Sequence, residues 1–452
     1  MGHHEDSACI CRPIVLYFFL YNAVDEGPLR ISRPAGQSVP SVAGSIMAIW
    51  GLEDRRMFGA RTSNLLHRIT IPLIICCLVT VVLCVHTAAA LPGSGTQQDP
   101  WRIQSLADFD EFAADPNYWA GFTRLETDAN LAGRTYSTAV IAPDVNNSNW
   151  YFDGTAFTGV FDGNNHKIMN LTIDDAGAGN DYLGLFGYIG EYGEVRNLGL
   201  EGGSISGDSY IGGLVGANNA SISNCYSTAS VSSDYEVGGL VGVNWFYGSV
   251  SNCYSTGSVS GGWAVGGLVG RNWSDSVSDC YSTSDVSGTG ELVGGLVGLN
   301  LGHGSISNCY SSGDVNGDHN VGGLVGENWH GGISNCYSTG YVNGVSDIGG
   351  LVGYDYSGFY TICFWDIDVN PDVNGIGNTD DPNVIGKTTA EMQTKSTFTE
   401  AGWDFIEIWL INEGATYPVL RQEIRSDLNG DGGVDFADFA IFADHWLEGK
   451  DN

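Results

Sequence analysis

Lysine and arginine are scarce in this chain: 18 stand against 52 aspartates and glutamates, a formal net charge of −34. Between Arg196 and Lys387 the one basic side chain is Arg271. Nucleic-acid affinity rests on Lys and Arg neutralising phosphates, so this composition excludes a nucleic-acid partner. It also disfavours anionic membrane surfaces. Proline is sparse (12 residues), and the 65 glycines follow no collagen period, which excludes a collagen-like chain. Helical periodicity is absent from the central third, so helical repeats are excluded there. Hydrophobic residues make up 43% of the chain, enough to build a packed core, so disorder is excluded for the whole.

The N-terminal part reads as a processing segment. From Met57 the chain carries Arg61 and Arg68, an apolar run from Ile69 to Val85, and Ala88-Ala89-Ala90. Basic, apolar and small residues in that order form a secretory signal (57–90) with cleavage near Ala90. The alternative for the long apolar run is a retained membrane anchor. Residues 1–56 read as a mis-called start that does not belong to the mature protein. Beyond residue 90, 11 basic and 46 acidic residues leave about −35, a surface suited to a calcium-rich exterior. Six cysteines also remain, Cys225, Cys253, Cys280, Cys309, Cys336 and Cys363, evenly spaced.

That spacing belongs to a repeat. GGLVG recurs at Gly212, Gly238, Gly266, Gly294, Gly322 and Gly349, in steps of 26, 28, 28, 28 and 27 residues, each copy trailed by a variant of NCYST. The period is too short for a propeller blade and lacks the leucine pattern of a leucine-rich repeat. Short β-prone runs such as SVSNCYST alternate with Gly, Asn and Asp turns. The fold class is therefore all-β, a parallel β-solenoid with one repeat per coil. Stacking places equivalent residues in columns about 4.8 Å apart. One column is the six cysteines, read as small buried hydrophobes rather than metal ligands or redox thiols. Beside it run Tyr226, Tyr254, Tyr281, Tyr310, Tyr337 and Phe364. A third is Asn218, Asn244, Asn272, Asn300 and Asn328, closed by Asp355, for which axial amide hydrogen bonds and left-handed coil corners are expected. In SVSNCYST the Val and Cys have opposite parity. Either a bend separates them or Tyr is the inward residue.

The strings GGLVG and SISNCYSTG resemble the GLUG repeat of secreted and surface bacterial proteins, which include adhesins and some IgA-specific metallopeptidases. The resemblance covers about 205–365. FTGVFDGNNHKIMNLTI (157–173) is similar to an opening coil of pectin-lyase-like β-helices, and 386–421 resembles the segment that closes such arrays. The organisation expected is an N-terminal cap (91–150), a solenoid (151–365), a C-terminal cap (366–421) and a distinct tail (422–452). SLADFDEFAADPNYWAG (105–121), with helical spacing, is the expected N-terminal cap element.

The tail reads DLNGDGGVDFADFAIFADHWLEG. Asp427, Asn429, Asp431, Gly433, Asp435 and Asp438 fall at calcium-loop spacing, with Gly432 at the sharp turn. Phe439, Phe442 and Trp446 follow at helical spacing. The closing Asp resembles dockerin modules, which implies calcium as cofactor and a cohesin-like or surface-anchoring partner. A dockerin has two such loops, and this chain has one. DIDVNPDVN (366–374) is a weak second candidate, because Pro371 sits at the turn.

No catalytic set emerges. There is no H-E-x-x-H motif, and the GHG at 302–304 and NTDD at 378–381 lack the order and basic partner of a polygalacturonase. One feature varies between copies. After the corner Asn come Trp245, Trp273, Leu301, Trp329 and, after Asp355, Tyr356. An aromatic stripe of this kind stacks on sugar rings or forms a flat adhesive face; alternatively its rings only shield a corner. The function expected is a secreted or cell-surface scaffold for adhesion or carbohydrate binding, with Trp245, Trp273, Trp329 and Tyr356 as ligand-binding residues and a polysaccharide or surface glycan as partner. The alternative is a polysaccharide lyase or glycoside hydrolase on the same β-helix. Membrane contact is expected only through an uncleaved signal.

Overall fold

A computed structural model of the chain describes residues 90–421. The signal segment and the calcium-loop residues Asp427, Asn429, Asp431, Gly433, Asp435 and Asp438 lie outside the described residues. Strands of two to 14 residues stack in parallel into one sheet of 10 strands and one of 25, wound as a solenoid of about eight turns. Register is kept from turn to turn: Ile222 pairs with Val250, then Val277, Ile306 and Ile333. Columns of Val, Leu and Ile from every turn fill a single continuous core.

A left-handed residue settles the parity conflict in SVSNCYST. Val250 points inward, Ser251 outward, and Asn252 turns the chain at φ 53°, so Cys253 points inward again. Asn197, Asn224, Asp279, Asn308 and Asn335 repeat the bend at φ 51–53°. Asn and Asp tolerate this region better than other side chains. The six cysteines therefore form a buried column, all free. Each thiol donates to the carbonyl two residues earlier, as Cys253 does to Ser251 at 3.1 Å. Burial pushes the thiols of Cys225, Cys280 and Cys336 up, while hydrogen bonds from their neighbours pull Cys253 and Cys309 the other way. With no solvent at any rung, the column is a set of small buried hydrophobes.

The tyrosines face outward and stack ring on ring. Centroids from Tyr226 to Tyr337 lie 4.8–5.0 Å apart, with ring planes within 9° of parallel. At the C-terminal end the column is covered: Met392, Phe398, Trp403, Trp409 and Leu420 pack on Tyr310, Tyr337 and Phe364.

The corner asparagines differ from expectation in one respect. Asn218, Asn244, Asn272, Asn300 and Asn328 are fully buried inside strands and are not the left-handed residues. Each amide donates to the next amide oxygen at 2.7–2.9 Å as far as Asn328. Its second N–H goes to a corner carbonyl of its own turn, as Asn272 does to Asp275 at 3.0 Å. Asp355 ends the row as a pure acceptor, taking Asn328 Nδ2 at 3.3 Å and Tyr360 Oη at 2.5 Å.

Both ends of the stack are closed by polar mimicry of a further coil. At the start, the Pro92 carbonyl accepts from Arg102 N at 2.8 Å. Helix Leu106–Ala114, capped by Ser105, seats Phe109 and Phe112 in the core. Strands Trp101–Ile103 and Phe122–Leu125 on either side of it already belong to the 10-stranded sheet. At the far end, Asn370 takes Val342 N at 2.9 Å and gives to the Gly340 carbonyl at 2.8 Å. Asn378 does the same for Asp355, at 2.8 and 2.9 Å. These contacts occupy edge groups that would otherwise template association. Among the described residues no helix is long and apolar enough to cross a membrane.

Candidate functional site

Because each corner Asn points into the core, the residue after it points out. In-register pairing then aligns Trp245, Trp273, Leu301, Trp329 and Tyr356 into one outward column. Trp273, Trp329 and Tyr356 are 39, 47 and 50% exposed, enough to present ring faces, whereas Trp245 is half-buried against Tyr210. The sequence-predicted stripe is therefore one continuous line, broken in aromatic character at Leu301.

The next residue in each corner is left-handed: Phe246 (φ 61°), Ser274 (64°), Gly302 (65°), His330 (58°) and Ser357 (58°). Phe246 bridges Trp245 and Trp273 at 5.7 and 5.6 Å between centroids. His330 meets Tyr356 edge-on at 5.2 Å, and Trp329 lies 5.3 Å from Tyr356. Two aromatic groups thus flank the Leu301 turn. Phe246 is missing from the sequence-derived set, and His330 is not among its ligand residues, because the position two after the corner Asn reads Phe, Ser, Gly, His and Ser and so marks no aromatic column. The available signal is that the position two after each corner Asn varies where the rest of the repeat does not.

Behind the first group lies the array's one lysine or arginine. Arg271 Nη1 pairs with Glu236 at 2.8 Å, their side chains 15 and 8% exposed. The guanidinium lies 5.9, 6.0 and 5.6 Å from the rings of Tyr210, Trp245 and Trp273. Burial pushes the Glu236 carboxyl up, and Arg271 opposes that shift.

An enzyme would need carboxylates converging beside a base. The mutually repelling carboxylates Asp144, Asp181 and Asp208 lie together, and Asp181 is pushed up to about 6, first by burial and then by Asp208 and Asp144. The depression beside them is lined by Thr138, Asp144, Val145, Asn146, Asn147, Asn180 and Asp181. Its lining holds no lysine, arginine or histidine, so the base of a lyase is missing from it.

Asp275 is a further ionisable group at the corner. It stands where other turns carry Gly248, Gly304, Gly331 and Gly358, and burial pushes its carboxyl from 3.8 to about 6. The folded state therefore holds this proton more tightly than the unfolded chain does. Stability should be greatest below about pH 4 and fall as pH rises to about 6. Asp275→Gly should recover about 1–2 kcal/mol at pH 7 and almost nothing at pH 3.5, read from urea midpoints at the two pH values. Equal gains at both would refute the assignment.

The fold and its columns define a class, the parallel β-solenoid repeat protein. Within it, residues 207–232, 233–260, 261–287, 289–316 and 317–343 match the GLUG motif. The chain is 33% identical over 146 residues to halomucin of Haloquadratum walsbyi, covering 31% of this chain and 2% of that protein. It is 33% identical over 140 residues to a protein described as a Gly-rich membrane protein of Evansella cellulosilytica, covering 29% of this chain and 15% of that one. The chain thus spans a small fraction of the length of the curated relatives it matches. A crystal structure described as that of an immunoglobulin A1 protease from Bacteroides ovatus aligns with a TM-score of 0.47 and 21% identity, over 73% of this chain and 94% of that one.

Proposed function

We propose that this protein is a secreted or surface-displayed scaffold that binds glycans through its aromatic corner. The observation that carries the reading is the column of exposed rings, Trp273, Trp329 and Tyr356, held on a rigid wall with Phe246 and His330 beside it. Aromatic faces of this kind offer the apolar platform on which sugar rings stack. Backbone strain at the exposed Phe246 and the half-buried His330, both in the left-handed region, is the kind that persists where a site requires it. One relative is described as a membrane protein, which supports placement at the cell surface.

A glycan array probed with the wild type and with the triple variant Trp245→Ala, Trp273→Ala, Trp329→Ala is the test. Signal should drop at least tenfold in a variant that circular dichroism shows still folded at the assay temperature. Equal binding by the two would remove the stripe from the function.

The tail belongs to the same proposal. Asp427, Asn429, Asp431, Gly433, Asp435 and Asp438 would hold one calcium ion, and the loop would attach the scaffold to a cohesin-like or other anchoring partner. Calcium should raise the melting temperature of the full chain, and Asp431→Ala should abolish the rise. An unresponsive wild type would sink the assignment.

A further inference from the structure

We propose that the aromatic corner takes a neutral glycan, and that Arg271 serves there as a positioning residue and not as an anion receptor. The inference rests on the glycan reading above and names its ligand class.

A uronate- or sulfate-bearing polymer brings one charge per residue or two, and a site that follows such a chain needs cations along its length. Arg271 is the only lysine or arginine between Arg196 and Lys387. Its charge is already used by Glu236 at 2.8 Å, in a pair largely withdrawn from solvent. The one other charge in its row is acidic. Glu327 occupies the same outward row two turns on. Beyond Arg271 the column offers an anionic chain no lysine or arginine.

The guanidinium has a different role available. It lies within 6.0 Å of the rings of Tyr210, Trp245 and Trp273, the last two being successive members of the stripe. A cation held at that distance by a buried carboxylate fixes the two indoles relative to each other. Trp329 and Tyr356, stripe members on neighbouring rungs, have ring centroids 5.3 Å apart, a spacing that suits successive rings of an extended, uncharged sugar chain.

The experiment is an array carrying neutral, uronate-bearing, sulfated and amino-sugar glycans at equal density, read at about 0.05 and about 0.5 M NaCl. Removing Arg271 alone would strand the Glu236 carboxylate, so the variant is Arg271→Met with Glu236→Gln. The wild type should retain neutral glycans equally at both salt concentrations. The double variant should bind them about tenfold more weakly, with a shifted tryptophan emission and an unchanged melting temperature. Arg271→Lys, which keeps a cation against the rings, should restore most of the binding. Salt-sensitive retention of uronate or sulfated glycans, lost in the double variant, would make Arg271 an anion receptor and overturn the inference while leaving the glycan reading intact. A preference for amino-sugar glycans would overturn the neutral class, and unchanged binding by the double variant would overturn the positioning role. Retention of no glycan by the wild type would remove the glycan reading itself.

Discussion

Asn272→Ala should lower the unfolding free energy by about 3–5 kcal/mol, a large share of what a domain has. The amide oxygen of Asn272 accepts from Asn244 at 2.8 Å, and its nitrogen donates to Asn300 at 2.9 Å and to the Asp275 carbonyl at 3.0 Å. Alanine leaves one buried donor and two buried acceptors without partners, in a place fully closed to water. Asn272→Asp should be nearly as harmful, because a carboxylate cannot donate and would face the Asn300 oxygen. Asp355→Asn should cost less than about 1 kcal/mol, since the row ends there and needs only an acceptor. Urea unfolding of the three variants, with m-values compared to confirm a common transition, checks the ordering. A loss below about 1 kcal/mol for Asn272→Ala would show that the amide row does not carry stability.

The second large effect concerns the doublet that opens each GGLVG. Gly295→Ala should cost more than about 3 kcal/mol or prevent folding. A Cβ on Gly295 would lie 2.2 Å from the Gly323 carbonyl oxygen of the next turn and 2.2 Å from Ser311 Oγ. Gly294 is as tight, with the Val297 oxygen 2.0 Å from the Cβ site. Neither residue has a positive φ, so the requirement is closeness of approach and not handedness. The backbone would have to part from its neighbour, and the strain would pass along the stacked turns. Gly332→Ala is the control: a Cβ there meets nothing within 4 Å, and stability should stay within about 0.5 kcal/mol. Similar losses from both substitutions would mean that glycine is used for flexibility rather than for space.

The candidate site was legible in part. Trp245, Trp273, Trp329 and Tyr356 follow an Asn at fixed phase, and in-register stacking turns fixed phase into a column. Phe246 and His330 escaped because the position they share, two after that Asn, is Ser274, Gly302 and Ser357 in other turns and so marks no column by composition. Arg271 was visible as a lone charge, but its use was not. Its partner Glu236 lies 35 residues earlier in sequence, and the three rings around it come from three different turns.

The repeat period, the parallel stack and the membership of each column were determined by the sequence alone. Identical residues 26 to 28 positions apart have one economical arrangement, each beneath its own copy, where hydrogen bonds and side chains match without slippage. The direction in which each column faces was decided only by the tertiary structure. Strand alternation gives orientation a period of two, but a single left-handed residue such as Asn252 resets it, sending Cys253 inward and Tyr254 outward. An Asn at a bend and an Asn in an amide row read alike in one dimension. The folded coil separates them, because one turns the chain at the surface and the other is buried where only another amide can satisfy it.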